Sequence, residues 1–309
     1  MMFKNSIKLL CANFATVWKI LVYHILSIAL CFGFLAIFHK DFVSYFNFAY
    51  DQSGLSGVFS TGTLYGSGNI AAALTAVVNF GILFFKVMFS TNGWIGFYFI
   101  FIVFYLLPVL MNIGKVVACE MMYGFMSACQ KQSFTGTFLK TIKSSIAYSS
   151  IKVLYAIPFN ALIVLSMWGL TRIPSGGFDY IMPFAFVIVP AILMAFKATF
   201  NAGWAPAKVV YNQNIFKSYG IGMRAVLRRG AKVFSTAFII YLLAIVLSVV
   251  LGLYSLIIIL PLISPLIHIF EMVSFFSSQG MRFYVDNDTI LSPKKLEEVD
   301  KIEDAKFIL

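Results

Sequence analysis

Charge is what this sequence has least of. Only 11% of its 309 residues are Asp, Glu, Lys or Arg, and mean hydropathy is +0.90. Soluble domains carry about 25% charged residues, so a soluble core is excluded on composition alone. Acids are scarcest. Before residue 286 there are five: Asp41, Asp51, Glu120, Asp179 and Glu271. Histidine is almost absent, with three residues, and the four cysteines form no CxxC pair. That leaves no ligand set for a metal and no redox pair, so no cofactor is expected. The sequence also contains no HExxH, no GxSxG, no phosphate-cradling GxxxxGK[ST] and no strand-led GxGxxG. These absences predict a protein that is not an enzyme.

What the chain has in quantity is apolar sequence, including 34 Phe, and a net charge of +11. In so apolar a chain the basic excess points to an anionic membrane leaflet rather than to nucleic acid. Six apolar runs are read as spans: 18–38, 94–115, 151–170, 181–200, 233–252 and 261–282. Residues 39–69, rich in Gly, Ser and aromatics, read as a loop. Residues 69–89 read as an interfacial or re-entrant helix, because a further span there would invert every later segment. With this assignment both termini are cytoplasmic. Sixteen of the 19 basic residues before residue 286 then lie inside, and only Lys40, Lys86 and Arg172 lie outside. That is the asymmetry the positive-inside rule demands.

The fold class expected is therefore an all-α integral membrane protein with six transmembrane helices in three hairpins. Each hairpin follows an amphipathic interfacial helix, starting near Phe3, Phe134 and Phe216. Residues 1–285 form one polytopic membrane domain, with 39–93 as an extracytoplasmic insertion. Residues 286–309 form a short polar cytoplasmic tail, with a helix beginning at Ser292-Pro293. The third amphipathic helix, within 214–232, is the strongest. Phe216, Tyr219, Met223, Val226 and Leu227 share one face. Lys217, Arg224, Arg228, Arg229 and Lys232 are predicted to contact anionic phospholipid headgroups on the cytoplasmic side.

Phe134 to Leu165 and Phe216 to Leu247 follow proline-bearing stretches at Pro108 and Pro206. That pattern resembles poorly characterised bacterial multi-pass families, the YesL-like proteins and the membrane domain found beside some glycerophosphodiester phosphodiesterases. The resemblance covers about the last 200 residues and implies a bacterial cytoplasmic-membrane protein. It carries no catalytic residues with it, and the 39–93 insertion departs from the YesL-like layout.

Ionisable residues inside a span are the default functional candidates. His268 and Glu271 are three apart, on one helix face, deep in the sixth run. A bare carboxylate there is costly, so it must be paired, protonated or hydrated. His24 reads as a packing residue, and Lys115 and Glu120 as residues of the inner boundary. The expected function is a non-enzymatic accessory or scaffold of a membrane transport or export system, with a membrane-protein partner. The alternative is a small-solute or ion transporter with a proton-linked site at Glu271 and His268. A polar path from Glu271 to a surface would favour the transporter. A dry core would favour the scaffold.

Overall fold

The computed structural model describes residues 2–60, 70–173, 181–251 and 255–291. Nearly all of them are helical. Five helices are long and apolar enough to cross a membrane: Phe14–Gln52, Gly93–Ala128, Phe134–Leu170, Phe184–Tyr211 and Gly230–Ser248. The fold is all-α, and these helices fit a multi-pass membrane protein. The sixth expected run falls on a further helix, Ser255–Gln279. The expected tail helix at Ser292-Pro293 lies outside the described residues.

The chain divides into two compact units. Unit 1 comprises residues 1–25, 112–148 and 195–309, and unit 2 comprises 26–111 and 149–194. In chain order the helices are α1 (Met2–Ala12), α2 (Phe14–Leu35), α3 (His39–Gln52), α4 (Leu55–Ser60), α5 (Ile70–Thr91), α6 (Gly93–Ile100), α7 (Leu107–Ala128), α8 (Phe134–Leu170), α9 (Met182–Asn201), α10 (Trp204–Tyr211), α11 (Ile215–Leu227), α12 (Gly230–Leu251) and α13 (Ser255–Gln279).

Unit 2 is held by aromatic packing. Residues 39–52, expected as loop, are helical and continue from α2 through one 3-10 turn at Ala36–Phe38. The reason lies in the spacing of Phe42, Tyr45, Phe46 and Ala49, which is that of one helix face. Tyr45, Met88 and Ile95 are buried together, with Phe42, Phe84 and Phe99 packed on them. Phe46 meets Phe80 edge-on at 5.1 Å, and Phe84 meets Phe99 at 5.4 Å. Asn92 caps α6 by accepting from the Trp94 N–H at 3.2 Å. Residues Phe101–Leu106 then widen into a π-helical turn just before Pro108. Proline lacks an N–H and its ring clashes with the carbonyl four residues earlier, and the wider turn relieves both.

Unit 1 is organised around α13. From His268 to Ser278 every residue is buried, so this half of the helix is core on all sides. Helices α1, α10, α11 and α12 pack against it. Two of the three expected amphipathic helices are separate elements. Asn13 breaks α1 from α2, its side chain donating to the Leu9 carbonyl at 3.2 Å, and residues 228–229 break α11 from α12. The middle one is the first part of α8, which runs unbroken for 37 residues. Its sequence from Phe134 to Ser150 has no Asn or Pro to interrupt it, and Gly136 lies in the first turn. After α13, Gly280 takes the left-handed conformation (φ 71°), as a helix C-terminus favours. A short hairpin follows, pairing Phe283 with Leu291 and Tyr284 with Ile290.

Candidate functional site

The site grows from α13. His268 and Glu271 lie on one stripe of it, as their spacing requires, and are 7% and 3% exposed. What the spacing did not reveal is the partner of Glu271. Lys115, on α7, is itself 3% exposed and places its ammonium against both oxygens of the Glu271 carboxylate. Lys115, expected near the inner boundary, is thus a residue of the packed core of unit 1. Pairing is the physical reason both charges can stay buried. Glu120, five residues further on, bridges to the exposed Lys140 at 3.1 Å.

Glycine makes the room around this pair. A Cβ on Gly114 would lie 2.7 Å from the ring of Tyr23 and 3.3 Å from Nε2 of His24. Without one, α2 closes on α7 and His24 enters the core at 1% exposure. Its ring stands edge-on to that of His268 at 6.0 Å. His268 Nε2 in turn lies 3.3 Å from the Ser264 hydroxyl.

Three further groups belong to this centre. The Tyr148 and Tyr241 hydroxyls lie within electrostatic reach of Glu271. Lys197 lies within reach of Lys115. Tyr148 is fully buried and meets Trp204 edge-on at 5.4 Å. The core of unit 1 thus collects one acid, one amine, two imidazoles and the Tyr148 phenol, with the half-buried Lys197 and Tyr241 nearby, and the acid is taken by the core amine. Such a set can lock helices together or pass protons. Among the described residues no group of three or more His, Cys, Asp or Glu could hold a metal.

The predicted lipid-contact residues lie on α11, the turn after it and the first turn of α12. Lys217, Arg224, Arg228 and Lys232 are exposed and Arg229 is half-buried. The face of α11 packed against the protein is made of small residues. It consists of Ser218, Gly222, Ala225 and Val226, while Phe216 and Leu227 are exposed at 74% and 44%. Small residues face inward because α10 crosses at backbone contact, with Gly203 against Gly222. The Trp204 indole donates to the Ile215 carbonyl at 3.0 Å and Lys208 to the Gln213 carbonyl at 2.9 Å, closing the loop between the two helices. Large apolar and cationic side chains consequently share the outward side of α11.

Comparison with protein-family models, curated proteins and solved structures gave no match to the chain, so the site is interpreted from its own geometry.

Proposed function

We propose that this protein is a non-enzymatic component of a membrane transport or export system, acting as an accessory or scaffold in a bacterial cytoplasmic membrane. The observation that carries this reading is the Lys115–Glu271 pair. A carboxylate held by an ammonium inside a fully packed stretch of helix fastens α7 to α13. It is not a free coupling group. The proposed topology has six spans, α13 being the sixth, with both termini cytoplasmic. It is supported by the distribution of basic residues. The exposed Phe216 beside Lys217 and Arg224 supports seating α11 in the cytoplasmic headgroup layer, against anionic lipid.

A second reading, a proton-linked transporter of small solutes or ions, is favoured by one observation. His24 and His268 stand ring to ring one turn of α13 from Glu271. The two readings separate in one experiment. A photo-crosslinker at position 216 in native membranes should capture a membrane-protein partner, and purified protein in vesicles should show no proton flux under a pH gradient. No capture, together with a flux that Glu271→Gln abolishes, overturns the scaffold in favour of the transporter.

A further inference from the structure

The Lys115–Glu271 pair satisfies charges in the core of unit 1 but not its hydroxyls. On α13, Ser274 and Ser278 follow Glu271 by three and seven residues, so the three side chains descend one stripe of the helix. Ser274 is 0% exposed and Ser278 8%, and neither hydroxyl has a hydrogen-bond partner among the described residues. Other buried hydroxyls of this unit bond back to the carbonyl four residues earlier: Ser6 to Met2, Thr141 to Thr137, Thr199 to Ala195. Ser274 and Ser278 do not.

Unpartnered buried polar atoms are few in native proteins, and each needs a cause. Here two descend the one stripe of α13 that begins at Glu271. The distance to the helix end is short. Seven residues of helix rise about 10 Å, α13 ends at Gln279, and Arg282 is exposed. Towards the other end, His268 and Ser264 are already bonded to each other. A ligand suited to these hydroxyls must both donate and accept in a narrow polar track, which is the chemistry of water.

We propose that Ser274 and Ser278 hold a short file of water that links the Lys115–Glu271 pair to the Arg282 end of α13. The pair, with His24, His268, Lys197, Tyr148 and Tyr241 around it, then exchanges protons with one side of the membrane. This goes beyond the functional reading above: such a file would count towards the transporter rather than the scaffold, and its test needs no flux, so it succeeds or fails independently of the flux experiment.

The test uses the full chain in sealed vesicles, with Cys11, Cys31, Cys119 and Cys129 replaced by Ala. Ser274→Cys and Ser278→Cys are exposed to a small charged thiol reagent from each side in turn, and Arg282→Cys marks the near side. Both are expected to react from the near side, Ser278→Cys several-fold faster, and neither from the far side. If both stay unreactive from either side while Arg282→Cys reacts, or if they react only from the far side, the proposal fails. Should the cysteine variants not fold, melting of Ser274→Ala and Ser278→Ala decides. A hydroxyl that holds water lowers the melting temperature when removed. An unchanged or raised melting temperature marks a dry core and overturns the file.

Discussion

Gly203 and Gly222 meet backbone to backbone. A Cβ built on either would overlap the carbonyl of the other, and backbone cannot swing aside as a flexible side chain can. The crossing of α10 and α11 depends on this contact. Gly203→Ala or Gly222→Ala should each cost about 1–3 kcal/mol or more. The sign should show as a lower melting temperature and as a changed emission from Trp204, whose indole is bound to Ile215 across the same crossing. Gly220→Ala is the control. Nothing lies within 4 Å of its Cβ position, so it should melt like the parent or slightly higher.

The ion pair allows a double-mutant cycle. Lys115→Met or Glu271→Leu alone leaves one charge buried without its partner and should cost about 3–5 kcal/mol. The double variant removes both charges and should recover most of that loss. Chemical denaturation in detergent reads both. Additive losses would show that the two residues do not act as a pair.

The basic residues at the end of α11, in the turn after it and at the start of α12 make a lipid prediction. Replacing Arg224, Arg228, Arg229 and Lys232 together by Gln should weaken retention of anionic lipid, by about 1 kcal/mol per charge removed. Native mass spectrometry of the purified protein can count the lipids kept. The helix itself should persist, because its inward residues Ser218, Gly222, Ala225 and Val226 are untouched. An unaltered lipid preference would reduce the basic face to a solvated surface.

The hairpin turn after α13 should be acid-sensitive. The Thr289 hydroxyl, and then the Asp288 and Thr289 N–H groups, donate to Asp286 and hold its carboxyl below the usual carboxylate range. A depressed folded-state value means that the stabilisation is present above the unfolded value, about 3.9, and is lost as pH falls through the lower folded one. Amide exchange at Thr289 should therefore gain protection above pH 4 and lose it in stronger acid. Asp286→Asn should flatten that profile. If the profile persists in Asp286→Asn, another group controls the turn.

The acid-bearing helix of the site could be read from the sequence, but its partner could not. His268 and Glu271 declare themselves by a three-residue spacing in an apolar run, which helix geometry turns into one face. Lys115 gives no such sign. It lies in the second half of an apolar run and is followed by a lysine-rich segment, so local context makes it a boundary residue. Its partner is 156 residues away, and pairing at that separation leaves no trace in local periodicity. Residues 39–52 failed for a different reason. Gly and Ser between 53 and 68 coloured the whole stretch as loop, although the aromatic spacing of Phe42, Tyr45 and Phe46 was already helical. On α11 the period was legible, but nothing in it marked which residues pack against the protein: Ser218, Gly222, Ala225 and Val226 do. In lipid the large apolar residues can face outward, and glycine goes where backbones touch.

The sequence separation of Lys115 and Glu271 also bears on biosynthesis. The ribosome releases the segment Gly93–Ala128 long before the segment Ser255–Gln279 exists. Through that interval Lys115 has no acid to meet, and the contact that fastens α7 to α13 cannot form. A nascent chain stopped before Glu271 therefore carries Lys115 without its partner, and the pairing dates from the arrival of Ser255–Gln279.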